Sequence, residues 1–196
     1  AHIGVIRALA AAGINPDIIS GTSIGAVVGG CYAAGQLDEL EGFARELTVR
    51  RVFGYLDFNF SGTGLISGQR LCDRLEALLK DRAMVDLSPR FSAVATEIGT
   101  GHEVWISRGR LVEAMRASYA LPGIFKPVKI EGRWLFDGAL VNPIPVSVCR
   151  ALGARYVIAV NLNTDTCNRG TVVPHLDAQP PSPEAEMDAP PVKGKN

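Results

Sequence analysis

Apolar residues in this 196-residue chain recur at spacings that alternate between helix and strand. Ile3, Ile6 and Ala10 share one face, with Val5 and Leu9 beside them, which predicts a helix over 2–12. Gly13 is placed to cap it, and Asn15-Pro16 turns the chain into a short apolar strand at 17–20. Ile24, Val27, Val28 and Cys31 then follow the i, i+3, i+4, i+7 rule of a second helix, with Gly35 as its stop. Asp38 with Glu41 resembles a capping box for a third helix carrying Leu37, Leu40, Ala44 and Leu47 on one side. Ser67 is placed to cap a fourth, with Leu71, Leu75, Leu78 and Leu79 inward.

The second half reads the same way. Phe91–Glu97 predicts a strand, and Gly99-Thr100-Gly101 turns it into a partner at His102–Ile106. Leu111–Tyr119 predicts a helix ending before Leu121-Pro122-Gly123. Val128–Ile130 and Trp134–Phe136 flank Glu131-Gly132 as a hairpin. Val146–Leu152 predicts a short helix. Tyr156–Val160 is a continuous apolar run of the kind buried on both faces of a parallel sheet. No internal repeat is visible. The fold class that follows is α/β, a three-layer α/β/α domain with a mainly parallel central sheet built on 17–20, 91–97 and 155–161.

Two stretches break this rhythm. Arg50-Arg51 precedes Phe53, Tyr55, Phe58 and Phe60. This cluster reads as aromatic core or as a flap facing acyl chains, followed by a loop at Ser61-Gly62-Thr63-Gly64. Beyond Thr164 the apolar periodicity stops, and six of the 12 prolines fall there. We therefore divide the chain into a folded domain over 1–163 and a Pro-rich, disordered tail over 164–196.

Composition narrows the function classes. Hydrophobic residues at 47% and charged residues at 20% suit a soluble globular domain. Lys+Arg and Asp+Glu are 20 each, so net charge leaves no footprint for nucleic acid, and none is expected as partner. The uncharged run Ile18–Leu37 is long enough to span a bilayer, but its glycines and Ser-Thr turn read better as a buried strand and helix. Cys31, Cys72, Cys149 and Cys167 form no C-x-x-C and no ligand spacing with the histidines, which predicts free thiols. With no signal peptide visible, a cytoplasmic setting follows, peripheral at a membrane. The chain opens on Ala1, so its native start is expected upstream.

The chemistry concentrates at Gly21-Thr22-Ser23-Ile24-Gly25. A Gly-x-Ser-x-Gly gains meaning when a strand precedes it and a helix follows, and both are predicted here. The serine would project from the reversal point, and Gly21 and Gly25 would let strand and helix approach closely. The helix start would offer unpaired N–H groups to a developing oxyanion. The competing reading is a glycine-rich turn with a serine N-cap.

A serine hydroxyl needs a base. His2 precedes the nucleophile, His102 sits on a hairpin, and His175 lies in the Pro-rich tail. A solvated or structural histidine is the better reading of each. Asp137-Gly138 follows a predicted strand, where α/β sheets gather their sites. On the residues alone it is equally a plain Asp-Gly turn.

Four stretches taken in order carry a family resemblance. They are Ala1–Val5, Gly21–Gly25, Ala117–Pro127 (ASYALPGIFKP) and Asp137–Pro145 (DGALVNPIP). Over about residues 1–163 the chain resembles the patatin-like phospholipases, in particular the bacterial branch similar to neuropathy target esterase. The resemblance implies a Ser–Asp dyad without histidine: Ser23 as nucleophile, and Asp137 of the Asp137-Gly138-Ala139 motif as base. It implies a phospholipid or lysophospholipid substrate, peripheral membrane contact, and no metal or cofactor. Family members also carry a glycine-rich oxyanion loop just before the stretch matching Ala1–Val5. On this reading the sequence is expected to be a fragment that starts after that loop or a deviant member without it, and Ala139 stands where a second glycine is common. Two further readings follow. One is a Ser23–Asp137–His175 esterase. The other is a weakly active or inactive fragment that binds acyl lipid or a protein partner.

Overall fold

The computed structural model describes residues 1–46 and 69–162. The aromatic cluster at 50–60, the loop at 61–64, Ser67, Cys167, His175 and the Pro-rich tail lie outside the described residues. Residues Ala1–Asn161 form one compact unit. Its elements run α1 (His2–Ala11), β1 (Ile18–Thr22), α2 (Ile24–Ala33), α3 (Leu37–Glu46) and α4 (Gln69–Leu79). They continue with β2 (Arg90–Glu97), β3 (Glu103–Ile106), α5 (Leu111–Tyr119), β4 (Val128–Ile130), β5 (Arg133–Asp137) and α6 (Val146–Ala151).

Strand β2 organises the sheet. Six consecutive residues, Phe91–Thr96, are buried on both faces, as a central strand requires. It pairs parallel with β1, and antiparallel with β3 and β5. The sheet is therefore mixed within its α/β layering, where a mainly parallel one was expected. The reason is connection length. The β2–β3 and β4–β5 links are too short for a crossover, so those pairs run antiparallel. At the β4–β5 turn Glu131 and Gly132 have φ of 47° and 82°, the doubly left-handed geometry of a tight hairpin.

The register decides where the chemistry sits. Strand β3 covers Ala93–Thr96 of β2, overlapping both β1, which covers Arg90–Val94, and β5, which covers Ala95–Glu97. A strand has two edges, so β1 and β5 share the edge opposite β3, end to end. Thr22 pairs with Val94, and Asp137 pairs with Ala95. The two strands thus run toward each other along β2 and meet at their C-terminal ends.

Helices α2 and α5 seal the core. A Cβ on Gly29 would lie 2.8 Å from Ile19, and one on Gly30 2.9 Å from the Met115 sulfur. The two glycines let α2 press against both β1 and α5. Ala26, Cys31, Leu111, Met115 and Leu135 are buried in this layer. Among the described residues no helix is long and apolar enough to cross a membrane. Cys31, Cys72 and Cys149 are free thiols, and burial pushes Cys31 up to about 12.

Two expectations are corrected. Tyr156–Val160 forms no strand; Tyr156 is 91% exposed and Ile158 59% exposed. The run and β1 line the same groove of about 600 Å³, and among the described residues no strand pairs with the run. Asp38 and Glu41 make no capping box. Helix α3 already starts at Leu37, and both carboxylates reach across to Arg7 of α1.

Candidate active site

Ser23 sits between β1 and α2 with φ 56° and ψ −125°. That backbone lies in the left-handed region, which a side chain with a Cβ occupies at a cost of about 1–3 kcal/mol. It persists only where the surroundings hold it. Gly21 contributes first. A Cβ there would lie 2.4 Å from the Gly25 carbonyl oxygen, so the first turn of α2 rests directly on the β1 backbone. Gly25 behaves otherwise than expected. A Cβ on it would meet only His2 Nε2, at 3.7 Å. The close approach of strand and helix needs Gly21 and leaves Gly25 room for a methyl.

The Ser23 hydroxyl donates to Asp137 Oδ2 at 2.6 Å. Asp137 is 1% exposed, and each of its polar groups is held. The Ala139 N–H donates to Oδ1 at 2.8 Å. Its own N–H donates to the Ala120 carbonyl at 3.0 Å, and its carbonyl accepts from Thr96 Oγ1 at 2.9 Å. The carboxylate therefore has one oxygen fixed by the backbone and one turned to the serine. Gly138 makes this possible by proximity. A Cβ there would stand 2.3 Å from the Val94 carbonyl oxygen. Its φ is not left-handed, so a glycine is needed here for close packing against β2.

Burial raises the Asp137 carboxyl above its ordinary value, against the opposing pull of the bonds from Ser23 and Ala139. A base with a raised pKa holds a transferred proton better. The sign for a pH profile follows. With Asp137 as the base for Ser23, proton acceptance needs the ionised carboxylate, so reactivity of Ser23 should climb as pH rises through a midpoint above the ordinary value of about 3.9. Rates of fluorophosphonate labelling measured across pH check this. A midpoint at or below 3.9 contradicts it.

Ile24 and Gly25 open α2, so their N–H groups have no acceptor one turn back. They form the positive end of the helix beside Ser23. The Ser23 N–H is already engaged, donating to Ser118 Oγ at 2.9 Å. Thr22, expected only as a motif position, donates its hydroxyl to the Asn142 carbonyl at 2.8 Å. This ties the end of β1 to the chain after Asp137. Ile24 and Leu140 flank the dyad in sequence and are 56% and 57% exposed. Val141, four positions after Asp137, is exposed as well.

Among the described residues no histidine hydrogen-bonds to Ser23 or Asp137. His102 is exposed on its hairpin. His2 lies beside α2 and is kept below its ordinary pKa by burial and then by the Ala1 ammonium. Among the described residues no three His, Cys, Asp or Glu side chains come together as a metal site. Sequence reasoning gave no role to Ser118, Thr96 or the Ala120 carbonyl. A signal existed for Ser118: it is a polar residue on the buried stripe of α5 that holds Leu111, Ala114 and Met115.

Comparison with known proteins gives a consistent picture. A family model described as patatin-like phospholipase matches residues 1–150. An NTE family protein of Mycobacterium tuberculosis (strain H37Rv) is 39% identical over 180 residues, covering 92% of this chain and 49% of that protein. Patatin-like phospholipase domain-containing protein 7 of Rattus norvegicus is 33% identical over 181 residues, covering 87% and 13%. Lysophospholipase nte1 of Emericella nidulans is 30% identical over 168 residues, covering 84% and 11%. The chain thus spans about half the length of the mycobacterial relative and far less of the other two.

Proposed function

We propose, given that this chain belongs to the patatin-like phospholipase family, that it is a serine hydrolase of lipid acyl esters working through Ser23 and Asp137. The carrying observation is the 2.6 Å bond from the Ser23 hydroxyl to Asp137 Oδ2, made by a serine with left-handed backbone at a strand-to-helix turn. Asp137 takes the hydroxyl proton as Ser23 Oγ attacks the ester carbonyl carbon. The tetrahedral oxyanion is stabilised by N–H groups at the start of α2. As the intermediate collapses, the ester C–O bond breaks and the departing alcohol takes the proton from Asp137. Water then attacks the acyl-enzyme, Asp137 takes its proton, and Ser23 Oγ leaves with that proton restored.

A phospholipid or lysophospholipid is the substrate class we favour. Ile24 and Leu140, exposed apolar residues close in sequence to Ser23 and Asp137, suit an acyl chain and a lipid surface better than a charged solute. A relative named lysophospholipase supports the same choice. The test is to trap the intermediate. The chain is mixed with lysophosphatidylcholine bearing a labelled acyl group, quenched in acid and digested. The label is expected on the peptide containing Ser23. His2→Gln, His102→Gln and His175→Gln should each trap it within about twofold of the parent, because on this reading the base is the Asp137 carboxylate that accepts from the Ser23 hydroxyl. A tenfold loss in His175→Gln would favour a triad. Lipid bound without acyl transfer would favour a binding role.

A further inference from the structure

Taking the hydrolase reading as its basis, we propose that Ser118 is a positioning residue: its hydroxyl fixes the backbone of the nucleophile, while two residues later the Ala120 carbonyl fixes the backbone of the base. Ser118 is fully buried at the C-terminal end of α5. A buried hydroxyl on a helix is commonly satisfied by the carbonyl one turn back. This one bonds outward, to two other elements. Its oxygen accepts the Ser23 N–H at 2.9 Å, and its hydrogen goes to the Val94 carbonyl at 2.6 Å.

The polarity of this relay has one solution. The Ser23 N–H only donates and the Val94 carbonyl only accepts, so the hydroxyl between them is locked in direction. Val94 lies at the junction where β1 ends and β5 ends along β2, since Thr22 pairs with Val94 and Asp137 with Ala95. Ser118 therefore ties Ser23 to the central strand at the point where the dyad meets. On the same chain segment, the Ala120 carbonyl accepts the Asp137 N–H at 3.0 Å. Residues 118–120 set the spacing between nucleophile and base by holding both main chains.

Without the hydroxyl, the Ser23 N–H loses the partner that opposes relaxation of its left-handed backbone. A displacement of about 1 Å at a reacting atom costs on the order of 100-fold in rate. The step read out is attack of Ser23 Oγ on an alkyl fluorophosphonate, with O–P bond formation, loss of fluoride and transfer of the hydroxyl proton to Asp137. In Ser118→Ala, the maximal labelling rate should fall about 10- to 100-fold, with half-saturation by the probe unchanged. A purely structural loss would lower the fraction of labelled protein and leave the rate of the folded fraction intact. The pH midpoint of labelling should also move upward, because a displaced Ser23 no longer donates to the Asp137 carboxylate.

A second measurement needs no variant. Amide exchange followed by NMR should find the Ser23 N–H of the unmutated chain as slow as the amides of β2. A fast Ser23 amide overturns the proposal even if Ser118→Ala fails to fold. So does a labelling rate in folded Ser118→Ala within twofold of the parent. An unmutated chain that never labels contradicts the hydrolase reading itself, and the positioning role with it. Labelling of the parent with no effect of Ser118→Ala removes the positioning role alone.

Discussion

Ser23→Ala is expected to abolish acyl transfer, with a loss on the order of 10⁶-fold where the nucleophile of a serine hydrolase is removed. Asp137→Asn should retain the fold and lose about 10²- to 10⁴-fold, the range of general-base catalysis. Asp137→Asn should affect stability as well. Burial raises the Asp137 pKa above its unfolded value. Below the unfolded value both states hold the proton and nothing is gained or lost. Above it the unfolded chain ionises first, so wild-type stability declines as pH rises toward the folded value and stays lower beyond it. Asparagine has no charge to bury. Denaturation of Asp137→Asn at neutral pH should therefore give a stability equal to or above the parent, alongside the loss of activity. A destabilised Asp137→Asn would mean that the buried carboxylate stabilises this fold.

The second large effect concerns a glycine. In Gly138→Ala the new methyl would stand 2.3 Å from the Val94 carbonyl oxygen, and rigid backbone lies on both sides. Relief requires the end of β5 to move by about 1 Å, carrying Asp137 away from Ser23, which predicts a loss of about 100-fold in acylation. Overpacking of this kind costs a further 1–3 kcal/mol or so of stability. Gly25→Ala is the contrast, since its methyl meets only His2 Nε2 at 3.7 Å. Its thermal midpoint should hold or rise, because alanine loses less entropy than glycine in a helix. Melting curves of the two variants, with labelling rates of Gly138→Ala, check this. Equal behaviour of the two would contradict the packing geometry.

That contrast also marks where the sequence stopped being legible. The strand, turn and helix around Ser23 could be read because apolar periodicity and a motif agreed on one stretch. Strand β2 could be read from its apolar run, and α5 from its stripe. Tyr156–Val160 has an equally apolar run and forms no strand, because such a run encodes a preference for burial and does not supply a partner at ladder distance. Asp38 and Glu41 matched a cap by spacing, yet Arg7, more than 30 positions earlier, competes for both carboxylates. The spacing of a local motif carries no information about such long-range partners.

The dyad followed the same logic. Asp137 was equally a plain turn residue until the resemblance singled it out. What brings it to Ser23 is the end-to-end meeting of β1 and β5 on one edge of β2, a property of register across more than 110 residues. The glycines of the two motifs looked interchangeable in sequence. Only the positions of the Gly25 and Val94 carbonyls separate Gly21 and Gly138, which cannot carry a methyl, from Gly25, which can. Ser118 was hidden because a helix pattern flags a polar residue on a buried stripe without naming the groups it will bond.

The most direct test of the dyad is the site of covalent labelling. The unmutated chain is treated with an alkyl fluorophosphonate at neutral pH, digested and sequenced by mass spectrometry. One adduct is expected, on Ser23, with a rate that falls at least 100-fold in folded Asp137→Asn. An adduct on another serine, or an equal rate at Ser23 in Asp137→Asn, would contradict the assignment of Ser23 and Asp137 as nucleophile and base.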